Sequence, residues 1–284
     1  MINYNNSISL VIFTCESREH LLLNTFKSFL ENCDYKFDKI ILAIDGKVNA
    51  QIIDEISPTV VVQQANRSGY VKNILNALKQ INTPYFFWLE DDWKFHKKLD
   101  LAELLNSIKS NEDWVEIVLS KSGALSAEQK ANKLANNLYE TTFGFSANPC
   151  LCNTQHLQSA FNALEKAPRG SKLGEDGFEN FLSKKFAEEN KKCVILDPVD
   201  QSHISHEGYL ESTPRSWHMT DSIENKATTH LLTIPAPSLF RRFKMIGKLL
   251  LMFLKLSKLQ LHNNKIYEYC FRVIRSSNSV LKDE

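Results

Sequence analysis

Three acids, Glu90, Asp91 and Asp92, follow directly on the apolar run Tyr85–Leu89 (YFFWL), and Trp93 comes straight after them. Adjacent carboxylates repel one another, so such a cluster stands either in solvent or around a cation that neutralises it. Hard oxygen ligands of this kind suit Mg2+ or Mn2+, and Mg2+ commonly bridges onward to substrate phosphates. A second constellation is GEDGFENFL, residues 174–182. Gly174 permits a turn, and Glu175 and Asp176 then open an amphipathic helix with Phe178, Phe181, Leu182 and Phe186 inward. Acids favour the first turn of a helix because of its dipole; a carboxylate at such a junction can equally take the proton of an attacking hydroxyl. A third is QSHISHEG, with His203 and His206 three apart and His218 beyond. HxxH without further ligands is not a zinc site, and histidines so placed are commonly structural or simply exposed.

These side chains need elements to hold them. ISLVIFT (8–14), KIILAI (39–44), TVVVQ (59–63) and residues 85–89 are short apolar or β-branched runs and predict strands, with two more at 114–119 and 193–196. Between them, 19–31 carries Leu22, Phe26, Phe29 and Leu30 on one helical face. A further helix holds Val71, Ile74, Leu75 and Leu78, with Ser68 as its cap. Strands apolar on both faces and alternating with helices predict a parallel sheet covered on both sides. Ligands of such sheets bind outside the carboxyl ends of the strands. Asp45 and the trio 90–92 both stand at strand ends and should face one crevice. FGFSANPC (143–150) lies between the two acidic constellations; it reads equally as an acceptor-pocket wall or as a core strand and turn.

With 43% hydrophobic and 24% charged residues, the 284-residue chain has ordinary globular composition. Its net charge of +1 is unevenly spread: residues 239–284 hold ten Lys/Arg against three Asp/Glu, and the rest 24 against 30. The six cysteines form no CxxC pair and read as reduced, mostly buried thiols. MINYNNSISL lacks a basic region leading into a long apolar one, so no secretory signal is expected.

Four segments in order resemble the GT-A glycosyltransferases, close to their large family 2. ISLVIFTCESREHL resembles the opening strand and turn, KIILAIDG the second strand ending in a base-contacting acid, NRSGYVKNILNAL the following helix, and PYFFWLEDDWKF the DxD segment. Phe13, Glu16 and Lys72 stand where the family usually has Pro, Asn and Arg. The resemblance implies a GT-A (Rossmann-like) fold, an α/β mostly parallel sheet flanked by helices, over residues 1–234. Residues 1–95 would be the nucleotide-sugar half and 96–234 the acceptor and catalytic half. It also implies a nucleotide-sugar donor. Thr14, Glu16 and Asp45 would line the nucleoside pocket, Arg67 and Asn73 would lie near base or ribose, and Asp91 would face ribose or metal. Asp92, with Glu90, would hold Mn2+ or Mg2+, aided by one late histidine, His203 or His206. Asp176, with Glu175 as alternative, would be the general base of an inverting transfer.

Residues 235–284 read as a basic amphipathic helical tail: Arg241, Lys244, Lys248, Lys255 and Lys258 form one stripe opposite Phe240, Phe243, Ile246, Leu250 and Phe253. Such a helix predicts membrane-surface contact, over 238–275, at the inner face of a cytoplasmic membrane; a nucleic-acid partner is not expected. The expected activity is metal-dependent transfer of a sugar to a hydroxyl of a glycan or lipid-linked acceptor, in cell-surface polysaccharide or lipopolysaccharide synthesis. The rivals are a retaining transferase on the same fold, a non-catalytic membrane-associated binding protein, and a sugar nucleotidyltransferase. The last lacks its usual Gly-rich loop, since Thr14–Arg18 stands there.

Overall fold

The computed structural model describes residues 7–167 and 173–208, backbone only at 173–176. The tail expected over 235–284, and His218, lie outside the described residues.

The first half alternates strand and helix: β1 (Ile8–Cys15), α1 (Glu19–Asn32), β2 (Lys39–Asp45), α2 (Ala50–Ile56), β3 (Val60–Gln63), α3 (Tyr70–Leu78) and β4 (Tyr85–Glu90). After the acids come β5 (Trp93–Phe95), α4 (Leu101–Lys109), β6 (Trp114–Leu119), β7 (Lys133–Ala135), β8 (Leu138–Glu140), β9 (Cys150–Asn153), α5 (Thr154–Lys166), α6 (Leu173–Glu188), β10 (Lys192–Leu196) and β11 (Ile204–His206). Nine strands form one sheet in the order β3-β2-β1-β4-β9-β6-β10-β8-β7. β3, β2, β1 and β4 run parallel, as do β6 and β10. β9 inserts antiparallel between β4 and β6, and β8 and β7 close the far edge antiparallel.

The period-2 pattern of β1 shows how the sheet is covered. Val11 and Phe13 face one apolar layer with Ile74, Leu78, Phe161 and Phe186; Leu10 and Ile12 face the other with Leu22, Phe29, Leu104 and Trp114. All are buried, and each large side chain so removed from water contributes roughly 1.5–3 kcal/mol. Phe29 of α1 stacks on Phe87 at 5.3 Å and meets Phe95 edge-on at 5.1 Å, which fixes the helix beside the strand end that carries the acids.

Two local expectations are corrected. Leu30 is 51% exposed; the inward face of α1 is Leu21, Leu22, Thr25, Phe26, Ser28 and Phe29, so two hydroxyls share it with the hydrophobes. Ser68 does not cap α3 with its side chain: the cap position is Gly69, with φ 99°, and Asp45 reaches across to serve it. The aromatic segment 143–150 is a turn that enters a core strand. Phe145 and Cys150 are buried, and the antiparallel sense of β9 starts that strand at the carboxyl ends of β4 and β6. Cys15, Cys33, Cys150, Cys152 and Cys193 are free thiols.

Candidate active site

The acidic turn lies at the carboxyl end of β4, beside that of β1, and is gripped from several directions. Thr14, near the end of β1, donates its hydroxyl to Asp91 Oδ2 at 2.7 Å. From α1, Thr25 Oγ1 donates to the Asp91 carbonyl at 2.8 Å and accepts the Trp93 N–H at 3.0 Å; Ser28 Oγ accepts the Phe95 N–H at 3.2 Å. Arg18 enters from the turn between β1 and α1, just after Ser17, whose φ of 72° is left-handed. Its Nε lies 2.9 and 3.0 Å from the two Asp91 oxygens, and its Nη2 reaches Asp91 Oδ1 at 2.6 Å and Asp92 Oδ2 at 2.7 Å. Its side chain is 14% exposed, so this ion pair lies largely out of water.

The second half of the chain reaches this turn through a two-stranded ribbon. β11 pairs antiparallel with β5, in the register Trp93–His206, Lys94–Ser205 and Phe95–Ile204. His206 Nε2 thereby comes to 3.3 Å from Asp92 Oδ2, its ring edge-on to Trp93 at 4.8 Å. Side chains alternate across a strand, so residues three apart point to opposite faces. His203, the residue before β11, accepts the His96 N–H at its carbonyl and turns to a separate cavity. It is buried, and it lines a cavity of 340 Å³ with Lys97, Asp100, Asn137 and Asp197. Burial, then the nearby Lys97, holds its pKa below the ordinary histidine value. The chain then crosses directly over the acid: Glu207 N–H donates to the Asp92 carbonyl at 2.8 Å, and a Cβ on Gly208 would stand 2.5 Å from Asp92 Oδ2. Only glycine allows that approach.

The three acids have different electrostatics. Glu90 accepts the Tyr70 hydroxyl, and burial followed by the Asp92 charge pushes its pKa up to about 8. For Asp91, burial outweighs Arg18 and Thr14, and its pKa is raised. Burial also pushes Asp92 upward, but the His206 hydrogen bond and charge, together with Arg18, outweigh it and hold Asp92 below the usual carboxylate range. Asp92 Oδ1 is buried with no hydrogen-bond partner. An anionic carboxylate with one unsatisfied oxygen, beside an imidazole nitrogen, is a donor set that fits a hard divalent cation.

The other residues singled out by sequence sit around this turn. Asp45 is 1% exposed and accepts the N–H groups of Ser68 at 2.5 Å and Gly69 at 3.2 Å, with Arg67 Nε 3.9 Å away. Glu16 is exposed and accepts the Lys47 N–H at 3.3 Å; Gly46, with φ 103°, passes so close that a Cβ would lie 2.7 Å from Glu16 Oε2. Asn73 is 1% exposed, and its amide donates to the Ala43 carbonyl at 3.1 Å, tying α3 to β2. Glu175 and Asp176 lie in the helical turn before Gly177, whose φ of 71° and ψ of 164° interrupt α6. Phe178, next in sequence, packs edge-on to Tyr70 at 5.7 Å, and Tyr70 holds Glu90. The start of α6 is thus one side chain removed from the acidic turn. Farther along α6, Glu179 accepts the Ala147 N–H at 2.7 Å and Ser183 accepts the Phe145 N–H at 2.9 Å, while Glu116 of β6 accepts the Ser146 N–H at 3.0 Å. The segment before β9 is fixed to both elements.

Sequence reasoning singled out neither Arg18 nor Thr25. The only linear signal was a cation and a helix-face hydroxyl downstream of a strand end, and many such residues have no role.

The fold is similar to the crystal structure of GalNAc-T7 with UDP, GalNAc and Mn2+, at 16% identity over 70% of this chain and 43% of that one, with a TM-score of 0.51. It also matches S. aureus TarS 1–349 in complex with UDP (15% identity, 70% and 60% covered, TM-score 0.49). A third match is the mannosyltransferase PcManGT from Pyrobaculum calidifontis in complex with GDP-Man and Mn2+ (13%, 68% and 55%, 0.48). The chain thus spans between 43% and 60% of the length of these three structures. No curated protein matches it by sequence. The model of Glycosyl transferase family 2 matches residues 9–164, more than half of the chain and every element from β1 to nearly the end of α5. With the strand-end acids standing inside that match, the chain belongs to glycosyl transferase family 2.

Proposed function

We propose that this chain is a glycosyltransferase that moves a sugar from a nucleotide-diphosphate donor to a hydroxyl of a glycan or lipid-linked acceptor, with inversion and with the help of a divalent cation. The observation that carries this reading is the meeting of His206 and Asp92 at the carboxyl end of β4, with Asp92 Oδ1 buried and unpaired. Asp92 and His206 would hold Mn2+ or Mg2+, which when bound supplies charge neutralisation for the leaving nucleoside diphosphate. Glu90, tied to Tyr70, is in this reading a support for the turn beside the cation site. Asp91, held by Thr14 and Arg18, orients the turn and faces the ribose side.

Donor recognition falls to the crevice beside β1 and β2. Glu16 and Arg67 are exposed there and would face the nucleoside, whereas Asp45 shapes the crevice by ordering Ser68 and Gly69 at the start of α3. Thr14 and Asn73 act from inside, through Asp91 and through the packing of α3 on β2. Asp176, with Glu175 as alternative, takes the proton of the acceptor hydroxyl as its oxygen attacks the anomeric carbon. Supporting this is the packing of Phe178 on Tyr70, which brings the start of α6 next to the acidic turn. The aromatic segment 143–149, fixed by Glu116, Glu179 and Ser183, forms the acceptor side.

The excess of ten basic over three acidic residues after position 238 supports a membrane-surface role for the tail and a lipid-linked or cell-envelope acceptor, including lipopolysaccharide precursors. Among the described residues no helix is long and apolar enough to cross a membrane.

The test is donor hydrolysis across a panel of UDP- and GDP-sugars with Mn2+, followed by transfer assays on Asp92→Asn and Asp176→Asn. We expect hydrolysis that chelation abolishes, loss of both hydrolysis and transfer in Asp92→Asn, and loss of transfer with donor binding retained in Asp176→Asn. Full transfer by the Asp176→Asn protein would reject the base assignment. Product with retained anomeric configuration would reject inversion.

A further inference from the structure

We infer that Arg18 is a resident counter-ion of the acid pair, and that a divalent cation takes Asp92 only as the donor diphosphate takes Arg18. The inference rests on the function proposed above and concerns how that site is loaded.

The Asp91–Asp92 pair already has a cation in Arg18. The Arg18 guanidinium forks onto both oxygens of Asp91 and spends its Nη2 on Asp92 Oδ2 as well, at 2.6–3.0 Å throughout. Charge-assisted contacts of this length are among the stronger hydrogen bonds in proteins. They are also largely sheltered, with side-chain exposures of 14% for Arg18, 5% for Asp91 and 9% for Asp92. A guanidinium does not lose its proton at any ordinary pH, so it cannot withdraw by titration. It can leave Asp92 only by moving, or by sharing the oxygen with the metal at the expense of like-charge repulsion.

The geometry separates the two halves of the grip. Asp91 is held by the bidentate fork and by Thr14, and can keep Arg18 nearby. Asp92 is held by a single contact from the same side chain, and its other oxygen is already unpaired. Breaking the single contact is the smaller change. It requires a new acceptor for a buried guanidinium N–H, since a buried donor left unpaired is costly. A diphosphate is a fitting acceptor, because its oxygens match the planar fork that already grips a carboxylate. The metal adds positive charge where the diphosphate adds negative charge, so each makes room for the other. The consequence is positive coupling: metal alone binds weakly, nucleotide alone binds weakly, and each strengthens the other by the same factor.

The experiment is calorimetric titration of Mn2+ into the full chain and into Arg18→Gln and Arg18→Lys, without nucleotide and with saturating UDP or GDP, with thermal unfolding alongside. For the unsubstituted chain we expect Mn2+ affinity to rise at least tenfold when nucleotide is present. For Arg18→Gln we expect Mn2+ alone to bind at least tenfold more tightly than to the unsubstituted chain, and the effect of nucleotide to shrink below threefold. Mn2+ alone should raise the melting temperature of Arg18→Gln, whose acids have lost their guanidinium, and leave that of the unsubstituted chain almost unmoved. Arg18→Lys keeps a cation but loses the fork. It should lie between the two, and it decides the matter if Arg18→Gln does not fold. If the unsubstituted chain binds Mn2+ with nucleotide but the Arg18 variants bind Mn2+ alone no more tightly, the inference is overturned and the proposed function stands. If no protein binds Mn2+ under any condition, both fall.

Discussion

Thr25 gives the sharpest test of how the acidic turn is built. Its hydroxyl donates to the Asp91 carbonyl at 2.8 Å and accepts the Trp93 N–H at 3.0 Å, both in the buried interior. Thr25→Val keeps the shape and the β-branching of the side chain and removes only this bridge. A buried donor or acceptor left without a partner costs about 1–3 kcal/mol, so two of them cost about 2–6 kcal/mol. The added methyl recovers up to about 0.8 kcal/mol of burial, and some relaxation of the turn recovers more, leaving a net loss of about 2–4 kcal/mol. For a domain of this size each kcal/mol moves the melting temperature by about 2–4 °C, so a fall of roughly 4–16 °C should be seen by circular dichroism. Donor hydrolysis, assayed well below that melting temperature, should fall by more than tenfold, because the freed turn no longer presents Asp91 and Asp92 together. A variant that melts within about 1 °C of the parent would show that α1 does not hold the turn. A variant that melts early but hydrolyses donor normally would show that the turn's position does not matter to the chemistry.

Two further expectations come from the same geometry. His206→Ala should weaken Mn2+ binding measured with nucleotide by about tenfold, whereas His203→Ala, whose ring lines the cavity on the other face of the ribbon, should leave it within about twofold; the reverse pattern would mean that β5 and β11 pair in another register. Glu116 is fully buried in β6, and burial raises its pKa well above the ordinary carboxylate value. A raised acid contributes most to stability below about pH 4.5 and loses that contribution as pH climbs toward its folded-state pKa. Glu116→Gln should therefore flatten the decline in denaturant stability above pH 4.5, and an unchanged pH profile would place the titration elsewhere.

What could be read from the sequence was whatever a short window contains. The run Tyr85–Leu89 is apolar on both faces because β4 is interior, and the acids follow because the strand ends at the crevice; both facts lie within ten residues. The same holds for β1, β2 and β3, whose β-branched runs are bounded by turns. β9 was harder: four residues, CLCN, carry no alternation to distinguish a core strand from a buried turn, and its antiparallel placement between β4 and β6 is decided by its neighbours. Leu30 was misplaced because a helix face was drawn from hydrophobes alone, when Thr25 and Ser28 had a stronger claim on the inside through the backbone groups they satisfy.

The choice between the two histidines shows where linear reasoning stops. On a helix, residues three apart share a face, and both rings could have reached one ion. In extended chain they do not, and residues 204–206 are extended because they find β5 more than a hundred residues earlier in the chain, with His203 just before them. That pairing does more than bring His206 to Asp92. β5 begins at Trp93, one residue after the acids, so the ribbon, Thr25 of α1 and Gly208 all act on the same short stretch of backbone. A carboxylate cluster on a free loop would separate and hydrate. Here the backbone on both sides of Asp92 is tied, by Thr25 to the carbonyl before it and by Glu207 to its own, and the side chains have little room to move apart. Mutual repulsion is then relieved by a cation, which Arg18 supplies.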